Sequence, residues 1–130
     1  MKALLLSLFW IAQAAAGDPC AGVERGIDDA AKTQLAPLIG RHLGVRGVRI
    51  NEALHSGEWH AFLVGARDAD ESVVLYSGDP LSTRQIEAIG LFALPEGEKA
   101  IRAWFLANHA AMPAALASCV AQLVAKAGVS

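Results

Sequence analysis

The clearest pattern in the chain lies between Val48 and Ser77, where three apolar, β-branched runs alternate with polar positions and are divided by two short polar turns. Alternation with a period of two predicts antiparallel strands. A two-residue turn at Ser56-Gly57 pairs His55 with Glu58, Leu54 with Trp59, Glu52 with Ala61 and Ile50 with Leu63. In that register Val48, Ile50, Leu54, Trp59, Ala61 and Leu63 share one face, the expected core face. The other face carries Arg49, Asn51, His55, Glu58 and His60 together with Phe62 and Val64. The polar stretch Arg67–Glu71 forms the turn into a third strand, Ser72 to Ser77.

Helical spacing governs the rest. Asp18-Pro19 fits the cap and first position of a helix whose apolar stripe runs through Val23, Ile27, Ala31, Leu35, Leu38, Ile39 and Leu43. Pro37 falls inside this stripe and predicts a kink, and Gly44 and Gly47 end it. Ser77-Gly78-Asp79-Pro80 is a turn signal. Residues 83–93 carry both a capping-box spacing, Ser82 with Gln85, and a short apolar run interrupted by Gly90; the reading leans to a fourth strand. Pro95 opens a helix with Ile101, Trp104 and Phe105 on its stripe. Met112-Pro113 opens the last, with Leu116, Cys119, Val120, Leu123 and Val124 along one side. The expected fold is α+β: an N-terminal helix kinked at Pro37, an antiparallel meander of three or four strands, and two C-terminal helices packed on one sheet face, in two layers.

The N-terminus departs from these patterns. Met1-Lys2, an apolar run from Ala3 to Ala12 and the small residues Ala14-Ala15-Ala16 have the layout of a signal peptide. Residues 1–16 are therefore set apart from a single domain at 17–130, with cleavage after Ala16, or alternatively after Ala14. The run is too short for a membrane helix, which needs about 20 apolar residues, and Asp18-Pro19 ahead of Cys20 does not suit lipid attachment. The expectation is a periplasmic or secreted protein without a stable membrane anchor. In such a compartment the two cysteines, Cys20 and Cys119, are expected to pair. Removing residues 1–16 takes away only Lys2, leaving 10 basic against 13 acidic residues and a net charge of −3. That balance lacks the basic footprint of a nucleic-acid binder.

Candidate chemistry concentrates at the tip His55-Ser56-Gly57-Glu58-Trp59-His60, which holds two of the four histidines and one of the three tryptophans. Two imidazoles and a carboxylate on one face can hold zinc with an open position, so His55, Glu58 and His60 are the metal candidates of a hydrolase reading. No H-E-x-x-H, G-x-S-x-G, C-x-x-C or phosphate-cradling glycine loop accompanies them. His42 and His109 read as surface and loop residues. The reading that follows is an exported, non-catalytic binding or accessory protein without a cofactor, of the inhibitor or immunity type, whose partner is a protein of the envelope or exterior. Its expected contact surface is Arg49, Asn51, His55, Glu58, His60, Phe62 and Val64. The alternatives are the metal-dependent hydrolase and a small-ligand carrier with its pocket between sheet and helices.

Overall fold

A computed structural model describes residues 17–129; the expected signal peptide and its cleavage site lie outside the described residues. The fold is α+β. Five antiparallel strands follow one another in chain order across a single sheet: β1 (Glu24–Arg25), β2 (Arg49–Ser56), β3 (Trp59–Ala66), β4 (Ala69–Ser77) and β5 (Glu87–Gly90). Helix α1 (Asp29–Leu43) precedes β2, while α2 (Glu98–Asn108) and α3 (Ala114–Val129) follow the sheet.

The first helix starts ten residues later than Asp18-Pro19 implied, at Asp29. Gly22 and Gly26 have φ of 81° and 94°, a region that breaks a right-handed helix. The Asp18 side chain accepts the amide of Cys20 at 2.9 Å, forming a local turn instead of a cap. The true cap is Asp28, which accepts the amide of Ala31 at 2.8 Å. The intervening segment forms β1, a strand the helical stripe concealed, and the amide of Gly26 donates to the Ala53 carbonyl at 2.7 Å. Pro37 stands inside α1, which continues to its left-handed cap at Gly44. The ambiguous segment resolves into β5 and a single 3-10 turn, Leu91–Ala93.

The loop joining β2 and β3 is Gly57-Glu58, one residue later than expected, so Leu54 faces Ala61 and His55 faces His60. Gly57 has φ of 59° at the first loop position, where a type II′ turn calls for glycine. This moves each partner by two residues and so preserves which side chains share a face. A bulge between Ile50 and Glu52 does change faces. Leu54, Ala61 and Leu63 keep the face expected for them, but Ile50 and Val48 join the opposite one.

Both faces are covered, giving three layers where two were expected. Leu54, Ala61, Leu63, Val73, Leu75 and Ile89 pack against Ile101, Phe105, Leu116 and Val120 of the C-terminal helices. On the other side Ile50, Ala53, Phe62, Val64, Val74 and Tyr76 pack against Leu35 and Ile39 of α1. The physical reason is visible in β3 and β4, whose runs Ala61–Gly65 and Val73–Tyr76 are buried continuously. A strand apolar on both faces needs cover on both.

Cys20 and Cys119 form a disulfide across 99 positions, tying the segment before β1 to the buried side of α3. Constraining so long a loop favours folding mainly by restricting the unfolded chain. Replacing both cysteines by serine is expected to lower the unfolding free energy by about 2–5 kcal/mol. Urea unfolding monitored by tryptophan fluorescence measures this; a loss below about 1 kcal/mol contradicts that role.

Candidate functional site

The pairing of β1 through β4 builds one row of titratable side chains across the sheet. Glu24 faces His55, His55 faces His60, and His60 faces Tyr76. Directly opposed residues in antiparallel strands project to the same side, so all four lie on the α1 face. There α1 extends the row: His42 Nδ1 and the Tyr76 hydroxyl share a hydrogen bond of 2.8 Å.

Geometry divides the row into an open and a closed half. His55 and His60 stack with ring centroids 5.0 Å apart and planes inclined by 13°. Glu24 Oε2 stands 3.5 Å from His55 Nδ1. The ring of His60 also stacks on Phe62, which meets Tyr76 edge-on. Phe62 and Tyr76 are buried, whereas His55 and His60 are half-buried. Burial lowers the pKa of His60, with His55 acting in the same direction and Asp79 opposing. Burial pushes the Tyr76 phenol up to about 12.

Of the residues expected to act together, the structure brings His55 and His60 side by side and leaves Glu58 in the turn. Glu58 is exposed, and its carbonyl accepts the amide of Gly78 at 2.7 Å. The carboxylate beside the histidines is Glu24, which helical periodicity had concealed. Among the described residues no three His, Cys, Asp or Glu side chains are grouped to hold a metal ion. Of the seven residues of the expected contact surface, Arg49, Asn51 and Glu58 are exposed, His55 and His60 half-buried, and Phe62 and Val64 buried. Phe62 and Val64 are 1% and 3% exposed because α1 covers them. Arg49 lies six residues along β2 from His55, roughly 20 Å at strand rise. Asn51, at the bulge, donates to Glu71 at 3.1 Å.

His42 lies in the last turn of α1 and His109 in the turn after α2, as expected, but both side chains have partners. His109 is hydrogen-bonded to Glu87 of β5 and has a side chain only 11% exposed. Its ring meets Trp59 and Trp104 edge-on at centroid distances of 6.1 and 6.3 Å. This group closes the end of the core beneath α2 and α3, on the sheet face opposite the histidine row. Trp104 and His109 are neighbours at the end of α2, but Trp59 and Glu87 come from strands more than twenty residues away from His109, and no local spacing marks the group.

A second feature lies at β5, whose only strand neighbour among the described residues is β4. The exposed large hydrophobic side chains among the described residues are Leu81, Ile86 and Phe92, at 52%, 44% and 81%. Ile86 directly precedes this edge strand and Phe92 follows two residues after it, while Leu81 lies in the turn before them. Phe92 also borders an open groove lined by Leu91, Leu94, Pro95, Ile101 and Val124. No helix of the described residues is long and apolar enough to cross a membrane. The disulfide is compatible with a location outside the cytoplasm. No protein-family model, curated protein or solved structure matches the chain.

The pKa directions give a pH signature in metal-free buffer. Because folding lowers the pKa of His60, its neutral form is favoured in the native state. The unfolded chain takes up this proton near pH 6.5 and the native chain only at lower pH, so stability is complete above that value and falls as pH drops towards the native pKa. Urea midpoints between pH 5 and 8 are expected to decline below about pH 6.5, and less steeply in His60→Gln. Tyr76 is the chain's single tyrosine. Its phenolate absorbance is expected to rise well above the usual midpoint of about 10; a midpoint at 10 with native circular dichroism contradicts the buried hydroxyl.

Proposed function

We propose that this is an exported, non-catalytic binding protein that acts in the periplasm or outside the cell, an accessory, inhibitor or immunity-type protein that engages another protein through its β5 edge. The observation that supports this reading is the exposure of Ile86 and Phe92 at the two ends of a strand that ends the sheet. An edge strand presents backbone donors and acceptors to an incoming extended segment, and adjacent apolar side chains add affinity and register. The groove beyond Phe92 offers a place for an apolar side chain of the partner. Residues 1–16 carry the export part of the reading through their signal-peptide layout, and the disulfide suits an oxidising compartment. The proposed partner surface is thus the β5 edge and not the face from Arg49 to Val64, because Phe62 and Val64 of that face are covered by α1.

The test is affinity capture from an envelope extract and the culture medium, using the unaltered protein, the double variant Ile86→Asp/Phe92→Asp and a control, Lys32→Asp, on exposed α1. Because these positions are exposed, folding stability is expected to change by no more than about 0.5 kcal/mol per substitution. A protein retained by the unaltered chain and the control, and lost with the double variant, is the expected result. Equal retention by all three removes the β5 edge as the contact surface.

A further inference from the structure

The open half of the histidine row has the parts of a metal chelate. His55 and His60 occupy directly opposed positions on β2 and β3, so the backbone already holds two imidazoles on the same side of the sheet. Their rings are nearly parallel at 5.0 Å. An ion with metal–nitrogen bonds of about 2.0–2.1 Å needs ligand nitrogens roughly 3 Å apart. Chelation therefore requires the two rings to leave this stacked arrangement by rotation about χ1 and χ2.

The surroundings favour the metal-binding form. Glu24 Oε2 lies 3.5 Å from His55 Nδ1. Closing to hydrogen-bond distance, this exposed carboxylate would accept the Nδ1 proton and leave Nε2 for the metal, the arrangement commonly found behind metal-bound histidines. Glu24 occupies this place because β1 pairs it with His55, and the amide of Gly26 fastens the strand to the Ala53 carbonyl. His60 rests on Phe62, which limits where its ring can go. Asp79 adds negative charge on the His60 side. His55, with a side chain 38% exposed, leaves the pair open to solvent.

We propose that His55 and His60 chelate one divalent transition-metal ion of borderline softness, with Glu24 orienting His55 and water completing the coordination. Cu2+ binds most tightly and Zn2+ less so, as imidazole ligands and the order of divalent affinities dictate. The two-ligand character distinguishes this site from the three-ligand hydrolytic centre, and it is independent of the β5 contact surface.

The experiment uses the mature chain without a histidine tag and CuCl2 as the probe. Calorimetry is expected to give one ion per chain, and electron paramagnetic resonance to show coupling to two imidazole nitrogens. His55→Gln/His60→Gln removes both signals, and Glu24→Gln weakens binding by about tenfold or more. Cu2+ added to the unaltered protein broadens the ring proton resonances of His55 and His60 before those of His109, which lies on the other sheet face. The proposal is overturned by the absence of a one-to-one complex, by equal affinity in the correctly folded double variant, or by broadening centred on another residue. If the double variant does not fold, the broadening pattern of the unaltered protein decides.

Discussion

The structure depends on the double-sided burial of β3 and β4. Neither strand can turn its central residues to water, since Phe62, Val64, Val74 and Tyr76 project to one side and Ala61, Leu63, Val73 and Leu75 to the other. Each face therefore needs a helical layer. The C-terminal helices supply one and α1 the other. Their alanines and glycines allow close approach: at Gly40 an added Cβ would stand 2.9 Å from the Val45 carbonyl oxygen. The disulfide then joins the segment leading into β1 to the helical layer on the other side of the sheet from α1. The clamp thus acts on the same requirement that places the helices.

Strand parity carries this arrangement to the chemistry. The bulge beside Asn51 lets Ile50 and Ala53, three residues apart, serve the same face. Beyond it, regular pairing aligns Glu24, His55, His60 and Tyr76. A row of side chains across four strands is rigid in the direction that matters for ligation or proton exchange, because inter-strand spacing is fixed at about 4.8 Å by backbone hydrogen bonds. The closed half, with Tyr76 bonded to His42, fastens α1 to the sheet. The open half faces solvent. On the reverse side of the same sheet end, His109, Glu87 and the two tryptophans perform a fastening role between β5 and the turn after α2.

The two candidate surfaces are separate. The histidine row approaches the β1 edge of the sheet, and exposed Ile86 and Phe92 bracket β5 at the other edge. Strand order alone keeps them apart, so an ion at one and a protein at the other need not compete. β1 is only two residues long, which protects its side of the sheet from further strand addition, whereas β5 carries apolar residues on both flanks.

Local sequence determined the α+β class, the strands of the central hairpin, two C-terminal helices and the pairing of Cys20 with Cys119. These follow from periodicity, turn chemistry and cysteine count, all of which act over a few residues or through composition. The same pattern placed His55, His60, Phe62 and Val64 on one face, because a two-residue shift in pairing leaves side-chain parity unchanged. Only the tertiary structure decided that Phe62 and Val64 are buried, that Glu24 rather than Glu58 accompanies the histidines, and that His42 and His109 are fastened to Tyr76 and Glu87. Each of those outcomes depends on elements meeting across 20 residues or more. Helical spacing at Val23 and Ile27 masked β1, and a single bulge reassigned Ile50. Periodicity specifies which side of a strand is apolar, but what covers that side is settled by the competition of all the helices for it.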